Sequence, residues 1–152
     1  MNCFDGVNKL QIGKSLTKGL GTGGDSEIGE KAVEENSNDI SSIIKDAETI
    51  ITVACLGGGT GNGATPVVLN KISKETNAKN LAIVTLPFSF EGNRRMNKAQ
   101  EALSKIKKSA DNTIVFENDK ILETLDKRIT LGEAFSDADK IISDLIFEEL
   151  KK

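Results

Sequence analysis

The sequence predicts an α/β fold of three layers, in which a mostly parallel sheet lies between helices. Three short β-prone runs, at residues 50–55, 81–86 and 112–116, are apolar enough to be sheet strands. Each run is followed by a segment that favours a helix, and this alternation is typical of parallel strands joined by right-handed crossovers. The loops that leave the strands then gather at one edge of the sheet, where ligands bind in such folds.

The chain before the first of these strands is less regular. Residues 9–13 alternate in polarity enough to predict a short additional strand, and residues 19–24 form a glycine-rich loop. Asp25 or Ser26 is suited to cap a helix, because its side-chain oxygen can accept a hydrogen bond from a free backbone N–H group. Two short helices are therefore expected within residues 27–46.

The three core strands end in different ways. The first is apolar throughout and ends at a run of glycines, which predicts burial on both faces with Cys55 in the interior. The second ends at Pro87, which cannot continue a central ladder of hydrogen bonds. Asn118 follows the third strand and is suited to start a short helix. The helices predicted in this part of the chain span about residues 64–74, 93–108, 118–125 and 131–150.

Composition limits the classes of function. The 152 residues fit one domain, and a net charge of −3 without a basic cluster does not favour nucleic-acid binding. There is no bilayer-length apolar stretch and no signal-peptide pattern, so we expect a cytoplasmic protein with no direct membrane insertion. There are no histidines, and Cys3 and Cys55 lack metal-ligand spacing, so both are expected to be reduced and no metal ligand is predicted.

The strongest chemical signal is the loop at residues 57–63, which has five glycines between a strand and a helix. Glycines let backbone N–H groups approach an anion without obstruction, and the positive end of the helix dipole adds to the attraction. We therefore interpret the segment as a phosphate-binding loop rather than a flexible turn. A Walker loop is excluded, because the sequence lacks the required Gly-Lys-Ser/Thr ending.

Two other interpretations of this edge of the sheet stay open. The dinucleotide-binding fingerprint matches formally at residues 59–64 and again at 19–24, but the following strand ends without the acidic residue that would bind ribose. The loop at residues 87–95 contains Glu91 and Arg95, which suit a sugar hydroxyl and a phosphate. Their spacing is equally compatible with a surface ion pair at the start of a helix.

The run at residues 57–68 closely resembles the FtsZ/tubulin signature, in which a GGGTGTG-type loop holds the phosphates of a nucleotide. Asn62 stands where that signature usually has threonine. Further stretches resemble the FtsZ sequence in the same order, and together they cover about residues 9–148. These stretches are residues 17–21, 87–96, 118–120 and 134–135, with Asp139 beyond them. The resemblance implies a partial, Rossmann-like GTP-binding domain over residues 1–152, ending in a long central helix.

The resemblance also implies roles for individual residues. The implied phosphate contacts are Gly57, Gly58, Gly59, Thr60, Gly61 and Asn62, with Gly23 and Gly24 beside the terminal phosphate. Glu91 and Arg95 would contact the ribose, and Asn118, Phe135 and Asp139 would recognise guanine. An acid at Asp139 could accept from the N1 and N2 hydrogens of guanine, a donor pair that adenine lacks, so GTP or GDP with Mg²⁺ is the implied ligand. Spacing alone favours a solvated helix face for Asp139 and fits a core role for Phe135 equally well.

Family resemblance further implies head-to-tail filaments, cell-division partners and a location at the division site. Family members hydrolyse GTP with an acidic loop after the long helix, which in this numbering would lie beyond Lys152. Their domain opens with a strand, a loop, a helix and a second strand. Neither part is recognised within residues 1–152, so we expect no catalytic residue and marginal stability. We also expect either a gap in the sheet between residues 9–13 and 50–55 or a first strand that pairs differently. The alternative hypothesis is a short regulatory homologue that binds GTP without hydrolysis, and a remote one is a nicotinamide-dependent oxidoreductase.

Overall fold

A computed structural model describes residues 7–120 and 131–151 of the chain. Three parallel strands form one sheet in the order β1–β2–β3. The strands are β1 (Thr49–Cys55), β2 (Lys79–Leu86) and β3 (Asn112–Glu117). The helices are α1 (Lys14–Thr17), α2 (Ser26–Glu35), α3 (Ser37–Ile44), α4 (Gly59–Glu75), α5 (Asn93–Ser109) and α6 (Leu131–Leu150), and a 3₁₀ turn spans Ser89–Glu91. The predicted α/β class and the positions of its three core strands are confirmed.

β2 lies at the centre of the sheet and is buried on both faces. Successive side chains of a strand point to opposite faces, and the neighbours Ile83 and Val84 are 1% and 0% exposed. Val84 belongs to the main core together with Leu69 of α4 and Ile106 of α5, both of which are also fully buried. The core therefore sits between the sheet and the pair α4 and α5.

Polar contacts at the start of β2 fix the helices on the sheet. The buried Asn80 amide donates from Nδ2 to the Leu69 carbonyl of α4 (3.1 Å) and to the Ser109 carbonyl at the end of α5 (3.0 Å). An ion pair of 3.8 Å between Lys79 Nζ and Glu149 Oε2 brings the end of α6 to the same edge. Hydrogen bonds of a buried amide to two elements hold those elements in one arrangement. The loops at the opposite, carboxyl edge are thus built on a fixed frame.

β1 is an edge strand, and here the sequence-based expectation was wrong. β1 pairs with β2 from Thr49↔Lys79 to Cys55↔Thr85, and no strand of the described residues pairs with its other side. Val53 is 49% exposed and Cys55 is also exposed, so β1 is not buried on both faces and Cys55 is not interior. The apolar run predicted the strand correctly, but burial also depends on neighbouring elements that the run does not encode.

The expected strand at residues 9–13 does not form. Residues 7–13 have no regular structure, and the backbone after them bonds to the end of α2 instead of to a sheet. Gly13 donates to Asn36 Oδ1 at 3.0 Å, while the Ser15 and Leu16 amides donate to the two carboxylate oxygens of Glu35 at 2.9 and 3.1 Å. Because these acceptors at the end of α2 satisfy the N–H groups of residues 13–16, this part of the backbone needs no partner strand.

The helices form near the predicted positions, but some of them begin or end at other residues than predicted. Asp25 is the N-cap of α2, with Oδ1 accepting from the Glu27 amide at 2.8 Å, as predicted for Asp25 or Ser26. α4 begins at Gly59, earlier than the predicted start at Ala64, for a packing reason given below. Residues 118–120 are helical, and the rest of the helix predicted to residue 125 lies outside the described residues. Within the described ranges no helix is long and apolar enough to cross a membrane.

Candidate functional site

The central feature of the site is the N-terminus of α4, which opens at the carboxyl edge of the sheet. Gly58 is the N-cap in an extended conformation, and the first helical hydrogen bond runs from the Asn62 amide to the Gly58 carbonyl at 3.3 Å. The N–H groups of Gly59, Thr60 and Gly61 therefore have no partner within the helix. They point from the positive end of the helix dipole, which favours an anion there.

Three glycines of this loop are also required by close backbone packing. A Cβ at Gly59 would collide with Thr22 Oγ1, one at Gly61 with the Cys55 carbonyl oxygen, and one at Gly63 with the Ser26 carbonyl oxygen. This is why the helix begins among the glycines, since α4 lies directly against the sheet and against α2. Gly58 differs from them, because a Cβ there would meet nothing within 4 Å.

Asn62 holds the loop from inside. Its side chain is buried, and Oδ1 accepts a hydrogen bond from the Gly57 amide at 2.8 Å. Gly57 itself has a φ of 105°, which favours glycine, and a Cβ there would lie 3.2 Å from the Pro87 ring. Asn62 and Gly57 thus bond to each other here. The predicted phosphate contacts of both residues stay predictions.

The loop at residues 19–24 lies beside the α4 N-terminus. Thr22 and Asp25 pack against Gly59, and a Cβ at Gly59 would lie 2.6 Å from the Asp25 carbonyl oxygen. From α5, Lys98 Nζ donates to the Gly24 carbonyl at 3.1 Å. The structure thus brings Gly24 close to the first turn of α4, while the interpretation of Gly23 and Gly24 as phosphate neighbours stays a prediction.

Glu91 and Arg95 form the surface ion pair that their spacing allowed. Arg95 Nη1 lies 2.6 Å from Glu91 Oε2, and Glu91 Oε1 accepts from the Phe88 amide at 2.9 Å. The Glu91 side chain is 25% exposed and that of Arg95 is 60% exposed, so both remain accessible. Phe90 is 66% exposed and stacks on Phe88 with ring centroids 4.9 Å apart. The ion pair leaves both side chains accessible to a ribose, and their contact with the ribose stays a prediction.

The three predicted guanine contacts are not joined by the described structure. Asn118 is half-buried directly after β3, and Asp139 is exposed on α6. Among the described residues no hydrogen bond or ion pair connects Asp139 with Asn118. The side chain of Phe135 lies outside the described part of the chain.

The catalytic acidic loop that the resemblance implies would follow α6. This helix ends at Leu150 and is followed by a turn at Lys151. Lys152, beyond which the acidic loop is expected, lies outside the described residues. The expectation that residues 1–152 contain no catalytic residue therefore stays a prediction.

Sequence reasoning gave no role to Asp119, which the structure uses to join two loops of the site. Its carboxylate oxygens accept from the Ser89 amide at 3.0 and 3.2 Å, so the end of β3 is tied to the turn that carries Glu91. Sequence reasoning also missed Lys98, whose bond to Gly24 spans 74 positions of the chain. An aspartate three residues after the predicted end of a strand was a weak signal. For Lys98 the sequence carries no signal.

Comparisons with known proteins identify the family of the chain. Residues 2–126 match the family model described as "Tubulin/FtsZ family, GTPase domain". The chain is 46% identical over 134 residues to cell division protein FtsZ of Helicobacter pylori, covering 88% of this chain and 34% of that protein. It is 44% identical over 139 residues to the protein of the same name from Aquifex aeolicus, covering 91% and 38%. The chain thus spans about a third of the length of these relatives.

Solved structures give the same result for the fold. An FtsZ dimer of M. jannaschii superposes with a TM-score of 0.78 at 43% identity, over 86% of this chain and 37% of that one. CetZ2 from Haloferax volcanii, in a GTPγS-bound protofilament, superposes with a TM-score of 0.82 at 25% identity, over 93% and 43%. The family model matches most of the chain and the FtsZ relatives are 43–46% identical to it, so the chain belongs to the tubulin/FtsZ family.

Proposed function

We propose that this chain binds GTP and GDP at the carboxyl edge of its sheet, as part of a cell-division GTPase. The observation that carries the proposal is the α4 N-terminus, where three N–H groups have no helical partners and the N-cap Gly58 is exposed, with no atom within 4 Å of an added Cβ. Such an end binds phosphate through hydrogen bonds and through the helix dipole. Gly59, Thr60 and Gly61 hold the phosphates, with Gly57 and Asn62 shaping the loop behind them.

The remaining parts of the nucleotide are assigned around this anchor. Gly23 and Gly24 lie beside the terminal phosphate, since their loop packs against the first residue of α4. Glu91 and Arg95 bind the ribose side, and the exposed Arg95 guanidinium can turn from its ion pair with Glu91 toward a phosphate. Asn118, Phe135 and Asp139 recognise guanine.

Mg²⁺ accompanies the nucleotide in this proposal. The described residues contain no group of three or more His, Cys, Asp or Glu side chains that could hold a metal ion. That finding fits Mg²⁺, which usually keeps several waters and binds through substrate phosphates with few protein ligands. Bound in this way, the ion supplies charge neutralisation for the phosphates, and the chain supplies the N–H groups of α4.

Assembly and hydrolysis belong to the same proposal. FtsZ of M. jannaschii is described as a dimer and CetZ2 as a protofilament. We infer that this chain likewise takes part in head-to-tail filaments, with cell-division proteins as partners and the cytoplasmic division site as location. No described residue is assigned the activation of water, so residues 7–120 and 131–151 alone are expected to bind GTP without efficient turnover.

Calorimetric titration of the full chain with GTP and Mg²⁺ tests the proposal, with ATP and NAD as competitors. The informative variant is Gly58→Asp, because the N-cap position has room for a side chain and the carboxylate would repel phosphate. We expect binding by the original chain and at least about tenfold weaker binding by the variant, a loss of ~1.4 kcal/mol.

Gly58→Ala is the matched control for this titration, since alanine adds a neutral side chain without a capping oxygen at the same position. It should bind GTP like the original chain. Equal competition by NAD and GTP, or binding that ignores Gly58→Asp, would contradict the assignment of the phosphates to α4.

A further inference from the structure

A second surface, away from the strand ends, consists of a groove that runs along α4 between α2 and α5. Its volume is about 880 Å³, and it includes Asn62 and Gly63 but none of residues 57–61. α4 contacts both flanking helices and forms the floor, where Pro66 and Val67 lie. The proposed nucleotide site opens at the end of α4, whereas this groove follows its side.

The two walls of the groove carry opposite charges. α2 contributes Glu27, Glu30 and Glu34, which are exposed and spaced as one helix face. α5 contributes Lys98, Lys105 and Lys108, together with one acid, Glu101. The floor adds one net positive charge near its end, from Lys74, since Lys71 is paired with Glu75 at 2.7 Å. One chain thus presents an acidic wall and a basic wall side by side.

The two walls do not neutralise each other. Among the described residues no ion pair within 4.0 Å involves Glu27, Glu30 or Glu34, and none involves the three lysines of α5. Lys98 bonds only to a carbonyl oxygen, that of Gly24 at 3.1 Å. The groove separates charges that attract, so their fields remain available to a second molecule.

The spacing of the two walls matches. Glu27 to Glu34 and Lys98 to Lys105 each cover two turns, about 10.5 Å at 1.5 Å per residue. Lys98 of α5 bonds to Gly24, the residue before the N-cap of α2, so both helices begin at the same end of the groove. Lys71 Nζ also bonds to Ser37 Oγ at 2.7 Å, so α2 and α4 run in the same direction. The acidic and basic rows therefore lie in the same register.

We propose that this groove is an interface at which two copies of the chain associate side by side, the acidic wall of each facing the basic wall of the other. A two-fold axis parallel to α4, in front of the groove, places α2 of one copy over α5 of the other. The facing helices of the two copies then run in the same direction. Glu27 then faces Lys98 and Glu34 faces Lys105 of the second copy. An isologous interface needs a surface that complements itself. These walls meet that requirement with two Glu–Lys pairs from each copy, which outweigh the one like-charged pair, Glu30 opposite Glu101. This inference does not depend on nucleotide binding.

The experiment measures self-association of the full chain by sedimentation equilibrium without nucleotide. Exposed ion pairs are individually weak and are screened by salt. We therefore expect dimers at about 100 μM protein in low salt, and at least about tenfold weaker association in ~0.5 M NaCl. A chain that sediments as a monomer up to about 1 mM in low salt would overturn the proposal.

Two charge-reversed variants make the test specific. Glu34→Lys places two lysines opposite each other in a pair of identical copies, and Lys105→Glu places two glutamates there. Both positions are exposed, so both variants are expected to fold. Each variant alone should associate at least about tenfold more weakly, whereas an equimolar mixture should associate like the original chain.

Circular dichroism of each variant verifies folding before the mixture is measured. Equal association of the original chain, the two variants and their mixture would overturn the interface. Contacts made elsewhere on the chain, including head-to-tail contacts, would not change when these charges are reversed. Failure of the mixture to recover association would overturn it as well. Neither outcome affects the GTP proposal, which is measured on the same protein by calorimetry.

Discussion

The two glycine-rich loops have similar compositions and need glycine for different reasons. In the loop at residues 57–63, side chains at Gly59, Gly61 and Gly63 would collide with neighbouring backbone or side-chain oxygens. In the loop at residues 19–24, Gly21 has open space around a Cβ but a φ of 77°. The first loop requires the absence of a side chain and the second requires a backbone conformation that L-residues rarely adopt. The same substitution of glycine by alanine should therefore reduce the free energy of unfolding by different amounts in the two loops.

The largest effect is expected for Gly63→Ala, at the contact of α4 with α2. A methyl group there would collide with the Ser26 carbonyl oxygen and lie 2.9 Å from the Glu30 amide nitrogen, and backbone atoms of two packed helices cannot move independently. We expect a loss of about 3 kcal/mol in the free energy of unfolding, measured by urea denaturation, although alanine normally favours a helix. Gly58→Ser is the control, with a change below ~0.5 kcal/mol. Equal losses in both variants would show that packing is not the reason for Gly63.

A smaller loss is expected for Gly21→Ala, where only the backbone conformation opposes the side chain. The left-handed region costs an ordinary L-residue about 1–2 kcal/mol, so we expect a loss of roughly 1 kcal/mol by the same measurement. Gly21→Asn sharpens the comparison, because asparagine enters this region more readily and should lose less. If asparagine costs as much as alanine, then steric contact and not φ determines the requirement at residue 21.

The sequence predicted the regions of this molecule whose cause is local. Each core strand is a short apolar run bounded by glycine, proline or asparagine, and all three form where predicted. Asp25 caps α2 because its own side chain supplies the acceptor. The position of the phosphate-binding candidate followed equally from a glycine run between a strand and a helix. Local chemistry suffices for such features.

Features that depend on distant neighbours could not be predicted in the same way. The apolar run of β1 has the pattern of a buried strand, but only one side of it has a partner in the described sheet. Residues 9–13 have strand-like alternation, but Glu35 and Asn36 offer acceptors to the following backbone. The link from Asp119 to Ser89 joins positions 30 residues apart. In each case tertiary contact, which the local pattern does not contain, decides the outcome.

A substitution at Gly58, the exposed N-cap of α4, is expected to stabilise the chain, unlike the substitutions at Gly63 and Gly21. Gly58 has an extended conformation and no side-chain cap, so aspartate there can accept from the free N–H groups of the first turn. Gly58→Asp should raise the free energy of unfolding by a few tenths of a kcal/mol, roughly the difference between glycine and aspartate caps. The same variant should weaken GTP binding, so stability and binding separate at one residue. A variant that is both less stable and weaker in binding would instead indicate damage to the loop.

The smallest effect is expected for Glu35, which holds the turn before the loop at residues 19–24. Gly13, in this turn, needs glycine both for its backbone conformation and for its close packing. Gly13 has a φ of 63°, and a Cβ there would lie 2.5 Å from that of Ala32. The turn is held by acceptors of α2. The backbone N–H of Ser15, followed by smaller contributions from the Ser15 side chain and the Leu16 amide, lowers the pKa of Glu35 below its ordinary 4.5.

A lowered folded-state pKa gives a definite sign to the pH dependence of stability. The ionised Glu35 contributes fully above pH 4.5, and its contribution is lost as the pH falls from that value through the lower pKa of the folded state. Glu35→Gln should therefore reduce the melting temperature at pH 7, and the difference from the original chain should shrink on acidification. Thermal melts between pH 7 and pH 3 measure both curves. A difference that stays constant below pH 4.5 would mean that the Glu35 side chain holds the turn by its shape rather than by its charge.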